Sequence, residues 1–119
     1  MILADTSVWV QHLRVGLPEF AEALDAGKIF THEVVLGELA CGNIGQRNRT
    51  LTLLDELPNL ASVTFFEARH FIEEQRLYGK GLGWNDVQIL ATARVHGIPI
   101  WTLDKSLATA ARKLRVAYG

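Results

Sequence analysis

Two aspartates lie where short apolar strands are predicted to end. Asp5 directly follows the apolar run Ile2-Leu3-Ala4, and Asp104 follows the predicted strand Ile98–Thr102 with one residue between. A single aspartate after a strand is most often a helix cap. However, the carboxyl ends of parallel strands lie along one edge of a sheet, and residues just past them meet in a common crevice. The two side chains are therefore expected to lie close together.

Two further acids lie on predicted helices that can pass over the same edge. Glu38 has Val34, Val35 and Cys41 about one turn away, and Asp86 begins the most apolar helix of the chain. Taken alone, Glu38 is an ordinary half-exposed acid, and Asp86 is a favourable partner of the helix dipole. Several carboxylates cannot share a dry pocket unless protons or cations neutralise them. The joint pattern therefore predicts a cation site.

The type of cation follows from the ligand atoms on offer. Carboxylate oxygens are hard ligands that select Mg²⁺ or Mn²⁺, whereas the chain has no cysteine pair and no His-x-x-x-His spacing that would favour zinc. An acidic cluster that holds such ions suits phosphoryl chemistry. The ion acidifies and orients a water molecule and neutralises charge on the leaving oxygen.

Length and composition narrow the class of protein. The chain has 119 residues, 49% of them apolar and 21% charged, which predicts one globular domain over 1–119. Cys41 is the only cysteine, so an intrachain disulfide is excluded. No apolar run approaches the ~18 residues of a membrane span, and the start of the chain lacks a basic leader, so we expect a soluble cytoplasmic protein. The net charge is −1, but with four acids set aside in one site the remaining surface is mildly basic.

Short apolar strands alternate with helices along the chain. The predicted strands are Ile2–Ala4, Lys28–Phe30, Ala61–Phe65 and Ile98–Thr102, and the predicted helices are Val8–Leu13, Pro18–Ala26, a segment from the cap Thr31 to Gly42, Gln46–Leu57, Glu67–Tyr78, Asp86–His96 and Asp104–Leu114. This alternation is typical of a parallel sheet with helices on both faces, and it predicts an α/β sandwich.

Four motifs together resemble the PIN domain. They are Asp5-Thr6-Ser7-Val8-Trp9, Gly37-Glu38-Leu39, Asn85-Asp86 followed by Ile89-Leu90-Ala91-Thr92-Ala93, and Thr102-Leu103-Asp104. Each motif is weak alone, but all four occur in the family's order over essentially the whole chain. More narrowly, the sequence is similar to the VapC toxins of bacterial type II toxin–antitoxin modules. The fold that this resemblance implies is a three-layer α/β/α sandwich with a central, mainly parallel sheet.

The activity that the resemblance implies is that of a Mg²⁺-dependent endoribonuclease in which Mn²⁺ can substitute. Such an enzyme hydrolyses RNA phosphodiester bonds and leaves a 5′-phosphate and a 3′-hydroxyl. The family's pattern assigns both metal binding and catalysis to four acids, Asp5, Glu38, Asp86 and Asp104. Asp5 and Asp86 are the firmest ligands. Ser7 and Thr102 match hydroxyl positions of the family, where they would orient Asp5 or a metal-bound water.

The resemblance also implies partners. VapC-like proteins are homodimers of bacteria or archaea that a cognate VapB-like antitoxin inhibits, with RNA as the substrate and no membrane association. An apolar surface from the first helices either receives the tail of the antitoxin or belongs to the core, and it comprises Val8, Trp9, Leu13, Phe20 and Leu24. The sequence leaves these two interpretations open.

A glycine-rich turn, Gly79–Gly83, precedes Asp86. It follows a helix and Lys80 is not followed by Ser or Thr, so neither nucleotide-binding fingerprint fits. A hinge beside Asp86 is favoured, with Lys80 a possible contact to RNA phosphate. Trp84 either stacks on an RNA base or packs at the rim of the crevice.

Other function classes fit less well. A phospho-receiver domain needs a phospho-acceptor aspartate after a central strand, but Asp55 falls in a helical pattern even though Lys105 is suitably placed. A phosphatase of the haloacid dehalogenase type needs a second aspartate where this chain has Ser7. A catalytically idle PIN-fold binding module remains, and the four intact acids argue against it.

Overall fold

The computed structural model describes all 119 residues. In chain order the elements are β1 (Ile2–Ala4), α1 (Thr6–Val15), α2 (Pro18–Asp25), β2 (Ile29–Phe30), α3 (Glu33–Cys41), α4 (Arg47–Asp55), α5 (Phe65–Gln75), α6 (Trp84–His96), β3 (Ile100–Trp101) and α7 (Lys105–Lys113). None of these helices combines the length and the apolar character that a bilayer crossing requires.

The three strands form one parallel sheet in the order β2-β1-β3. Leu3 of β1 pairs with Phe30 on one side and Ile100 on the other, so β1 is the central strand. A parallel sheet has to be covered on both faces, and Leu3, Ile29 and Ile100 are fully buried. The predicted α/β sandwich with a parallel sheet is confirmed, and its carboxyl edge is where Asp5 follows β1.

The first two helices contribute an aromatic group to the core. The ring of Phe20 meets Trp9 at 4.7 Å and Trp101 at 5.4 Å between centroids, both edge to face, which is a favoured geometry for aromatic pairs. Val8, Trp9 and Phe20 are buried, whereas Leu13 is 39% exposed. Of the two interpretations left open for this apolar surface, the core applies to those three residues, and Leu13 lies at the surface.

The apolar helix α6 crosses the interior. Its buried residues include Val87, Ile89, Leu90 and Ala93, as its apolar character on nearly all sides predicts. It begins at Trp84, two residues earlier than the sequence pattern indicates, so Asp86 lies in the first turn and not at the cap. Burial of α6 fixes its amino end, and with it Asp86, at the carboxyl edge of the sheet.

The predicted strand Ala61–Phe65 is wrong. The only pairing in this region is one isolated bridge between Thr31 and Asn59. The reason lies in Thr64, whose hydroxyl accepts a hydrogen bond from the N–H of Glu67 while its own N–H donates to the Glu67 carboxylate. This capping box starts α5 at Phe65. The last two residues of the predicted strand, Thr64 and Phe65, therefore form the cap and the first residue of a helix.

The sequence pattern predicts Thr31 as the cap of α3, but in the structure the cap is His32. Nδ1 of His32 accepts a hydrogen bond of 3.0 Å from the N–H of Val34, and Nε2 lies 3.2 Å from the hydroxyl of Thr92. Because Nδ1 is an acceptor, the proton of the neutral ring is on Nε2. The side chain is fully buried, and this burial lowers the pKa of His32; Glu33 opposes the shift and His96 adds to it.

We predict that stability falls as the pH drops below the ordinary histidine pKa of 6.5. Below pH 6.5 His32 takes up a proton in the unfolded chain, whereas in the folded protein it stays neutral until a lower pH. The contribution of His32 to the free energy of unfolding is therefore complete above pH 6.5 and is lost as the pH falls toward the lower pKa of the folded state. The free energy of unfolding, measured with urea between about pH 7.5 and about pH 5.5, should decline less in His32→Asn than in the parent. His70→Asn, at an exposed position, is the control. An identical decline in His32→Asn and the parent would contradict the prediction.

Candidate active site

Asp5 lies at the centre of the site, where β1 ends. It is only 6% exposed, so its carboxylate depends on hydrogen bonds in place of water. Oδ1 accepts a bond of 3.3 Å from the N–H of Ser7. Oδ2 accepts from the hydroxyl of Ser7 at 2.8 Å and from the hydroxyl of Thr102. Three donors therefore hold this carboxylate in a fixed orientation.

The two hydroxyls also bind the segment that follows β3. The N–H of Leu103 donates to Oγ of Ser7 at 2.9 Å, and the N–H of Asp104 donates to Oγ1 of Thr102 at 3.0 Å. Each hydroxyl donates to Asp5 and accepts from this segment. Ser7 and Thr102 thus contact Asp5, and they also hold Asp104 at the same edge of the sheet.

Asp104 and Asp86 are both tied to helix starts through one oxygen. Oδ2 of Asp104 accepts from the N–H of Leu107 at 3.0 Å, so Asp104 caps α7. Oδ2 of Asp86 accepts from the N–H of Gly83 at 3.0 Å. In each side chain Oδ1 makes no hydrogen bond within the protein and remains available to a ligand.

The electrostatics of Asp86 show that the four acids share one region. Burial is the largest cause that raises the pKa of Asp86, and the negative charges of Asp104, Asp5 and Glu38 raise it further, against the opposing hydrogen bond from Gly83. All three other acids are thus close enough to disfavour its ionised form. The structure brings together the four acids that the sequence singles out; their catalytic roles stay a prediction.

Glu38 lies on α3 at the exposed side of the site. Oε1 accepts a hydrogen bond of 2.7 Å from the hydroxyl of Thr6, and Oε2 accepts from the side-chain amide of Asn85 at 3.4 Å. Thr6 and Asn85 have no part in the chemistry predicted from the sequence, although each is adjacent to a singled-out acid. Together with Val34, Gly37 and Cys41 these residues line an open cavity of about 620 Å³. Glu38 therefore faces an open cavity at the exposed side of the site.

The ligand atoms of the site fit a hard divalent cation. All four candidates are carboxylates, and their mutual repulsion is the condition that a bound cation relieves. No three His, Cys, Asp or Glu side chains lie close enough to hold one ion together in this arrangement. The chemistry of the donors is thus suited to Mg²⁺ or Mn²⁺, while the carboxylates do not point at one common centre.

The two possible RNA contacts lie on different sides of the site. Trp84 is the first residue of α6 and is 39% exposed, with its ring centroid 5.3 Å from that of Phe65. It therefore lies at the rim, with part of its ring open to solvent. Lys80 points elsewhere, into a separate cavity that Lys105 also lines.

With the fold and the site in place, the chain can be compared with known proteins. The PIN-domain family model matches residues 2–113, so the chain belongs to the PIN-domain family. Within that family it is similar to Ribonuclease VapC32 of Mycobacterium tuberculosis, with 41% identity over 118 residues, which cover 98% of this chain and 95% of the relative. The resemblance to PIN-domain VapC proteins is confirmed.

Solved structures share the fold at lower identity. PAE2754 from Pyrobaculum aerophilum has a TM-score of 0.71 and 16% identity over 98% of this chain and 87% of its own. VapBC2 from Rickettsia felis, solved bound to a DNA fragment from the promoter, has a TM-score of 0.65 and 20% identity over 87% of this chain and 88% of its own. At these identities the likeness shows that the fold is shared.

We predict that Asp86→Asn raises the melting temperature when a chelator keeps divalent cations away. The substitution removes one of four like charges, and the asparagine oxygen can still accept from Gly83. A gain of about 1 kcal/mol, or roughly 4 °C, is expected at neutral pH by differential scanning fluorimetry in EDTA. Glu22→Gln, which neutralises an exposed acid of α2, should change little. An equal or lower melting temperature for Asp86→Asn would show that the carboxylates do not repel one another.

Proposed function

We propose that the protein is an endoribonuclease that hydrolyses RNA phosphodiester bonds with the help of Mg²⁺ or Mn²⁺. The observation that carries the proposal is the gathering of four carboxylates at the carboxyl edge of the sheet, where burial first and the three neighbouring carboxylates second raise the pKa of Asp86. The 41% identity to a protein named a ribonuclease over nearly the full length of both chains supports it. The toxin class follows from the same similarity.

Each carboxylate has a distinct part in the proposed reaction. Asp5 and Asp86 would be the firmest metal ligands, and Asp104 and Glu38 would bind directly or through water. When bound, the ion supplies an acidified water and neutralises charge at the cleaved phosphate. Ser7 and Thr102 act as positioning residues, because their hydroxyls donate to the Asp5 carboxylate and fix its direction. Attack of water on phosphorus breaks the bond to the 3′ oxygen and leaves a 5′-phosphate and a 3′-hydroxyl.

Glu38 differs from the other acids in its setting. It is exposed, and both of its oxygens accept hydrogen bonds from side chains, those of Thr6 and Asn85. These contacts hold its carboxylate at the exposed side of the site, where it would orient water for the reaction. Thr6 and Asn85 are therefore proposed as positioning residues for Glu38.

One observation favours a second candidate, a catalytically idle PIN-fold binding module. The carboxylates are gathered but do not point at one centre, so a site that no longer binds metal would look similar. A phospho-receiver domain has no such support, because Asp55 is the last residue of the helix α4 and does not follow a strand. The experiments below separate the nuclease from the idle module.

The proposed partners are a VapB-like antitoxin and a second copy of the chain, in the cytoplasm of a bacterium or archaeon. The VapBC2 assembly shares the fold, which supports an antitoxin partner. The helix α1 also leaves apolar side chains in solvent, with Val10, Leu13 and Val15 exposed by 38%, 39% and 69%. Such side chains on one helix supply surface that a protein partner can bury.

We predict that Asp5→Asn and Asp86→Asn each reduce RNA cleavage by about 100-fold or more. Loss of one ligand charge should remove roughly 3 kcal/mol of transition-state stabilisation. Antitoxin-free protein is incubated with a mixed pool of structured and single-stranded RNAs and Mn²⁺, and the ends of the products are sequenced. Glu22→Gln is the matched control and should cleave as the parent does. Cleavage by a folded Asp5→Asn or Asp86→Asn at the parent rate would overturn the assignment of the site.

We predict that a divalent cation both activates and stabilises the protein. EDTA should abolish cleavage, and Mg²⁺ or Mn²⁺ should restore it. At a concentration of about 100 times its dissociation constant, Mn²⁺ should add roughly 2.7 kcal/mol to the free energy of unfolding of the parent, and less to that of Asp86→Asn. Cleavage that persists in EDTA would exclude the metal mechanism. Absence of both cleavage and Mn²⁺ binding would favour the idle module.

A further inference from the structure

A second concave site lies beside the acidic one. Its volume is about 410 Å³, and it is lined by the end of α5, the turn that follows and one face of α7. Four of its ten lining residues are basic, namely Arg76, Lys80, Lys105 and Lys113, and none is acidic. We call it the basic cavity. Gln75, Ser106 and Thr109 add amide and hydroxyl groups to the lining.

The four basic side chains have no partners within the protein. The one ion pair of the structure joins His70 to Glu74, and no hydrogen bond comes from the side chain of any of the four. Four like charges around one cavity repel one another unless an anion binds between them. The basic cavity therefore has the electrostatics of an anion-binding site.

Two chain segments connect the basic cavity to the acidic site. Asp104 and Lys105 are consecutive, so the start of α7 contributes an acid to one site and a cation to the other. The segment from Gly79 to Asp86 does the same, with Lys80 in the basic cavity and Asp86 in the acidic site. These segments pack closely, because a Cβ added to Gly81 would lie 3.1 Å from Oγ of Ser106, and Gly81 has a φ of +78°. The two sites are thus neighbours held at a fixed relation.

We propose that the basic cavity binds backbone phosphates of the RNA strand whose cleaved phosphate lies at the acidic site. This inference rests on the proposed ribonuclease function and adds the path of the substrate. A cluster of carboxylates repels a polyanion, so a nuclease needs cations nearby to retain the strand. Phosphate contacts of this kind position a nucleic acid without reading its sequence.

The lining favours a nucleic acid over an acidic protein segment. Only three of the ten lining residues are hydrophobic, so a peptide would find little apolar surface to bury. Lys105 directly follows Asp104 in the chain and lines the basic cavity, so a strand of regularly spaced phosphates that passes the acids can continue into that cavity. An acidic peptide has no reason to follow that path.

The test measures RNA binding in a background that cannot cleave. The reference protein carries Asp86→Asn alone. The cavity variant carries Asp86→Asn together with Arg76→Asn and Lys113→Gln, because these two basic residues lie farther along the chain from Asp86 and Asp104 than Lys80 and Lys105 do. Asparagine is chosen because Arg76 has a φ of +53°, which asparagine tolerates. The matched control carries Lys28→Gln and Arg49→Gln, which remove the same charge outside the basic cavity.

The readout is the fluorescence anisotropy of a labelled single-stranded RNA at several salt concentrations. The logarithm of the binding constant falls as the logarithm of the salt concentration rises. Loss of two phosphate contacts should make this slope shallower by about 1.4 and weaken binding about 20-fold near 0.1 M salt. The control should lose much less. If Arg76→Asn/Lys113→Gln fails to fold, Lys80→Gln/Lys105→Gln tests the same cavity in the same way.

The outcomes separate this inference from the proposed function. RNA binding and salt slope equal to those of the control overturn the inference, and cleavage by the parent protein then still supports the ribonuclease. Weaker RNA binding in the cavity variant, with binding by the control unchanged, upholds the phosphate-binding role of the basic cavity. If the parent protein then fails to cleave RNA, only the proposed ribonuclease activity is overturned. Polyglutamate is tested in the same way. If the cavity variant binds polyglutamate more weakly but binds RNA as before, the cavity is assigned to an acidic protein, and the inference is again overturned.

Discussion

A carboxyl group that is almost withdrawn from water needs hydrogen bonds to replace its hydration, and Asp5 is in that position at the end of the central strand. The hydroxyls of Ser7 and Thr102 meet this need, and each also accepts an N–H from the segment after β3. The two hydroxyls therefore tie Asp5 to the segment that carries Asp104, the cap of α7. The geometry of the acidic site depends on this one buried group.

The same site weakens the fold that carries it. Burial and the three acidic neighbours raise the pKa of Asp86. Without a bound cation, the protein therefore keeps an unfavourable arrangement of charges at the edge of its sheet. The helix α6 tolerates the arrangement because it is buried along most of its length. Apolar packing elsewhere thus stabilises a group of mutually repelling carboxylates, and a bound cation would relieve that repulsion.

The sequence is informative where local pattern and topology coincide. Apolar runs that end in Asp5 and near Asp104 predict acids at a shared edge, because parallel strands impose that edge. Contacts between distant segments are beyond such reasoning. His32 caps α3 because its other nitrogen, Nε2, hydrogen-bonds to the hydroxyl of Thr92, 60 positions away. Nothing in the local sequence distinguishes His32 from Thr31 as the cap. The capping box at Thr64 was readable, yet the apolar composition of the segment before it suggested a strand.

The nearly neutral net charge of −1 conceals a strong separation of charge. Four acids gather at the sheet edge, and four basic residues gather in the basic cavity beside it, with Asp104 and Lys105 at the boundary. If either group were distributed over the surface, the net charge would be the same but the local field would vanish. Because a polyanion responds to the local field near a cleft and not to the average, this separation lets an acidic centre act on a substrate of its own sign.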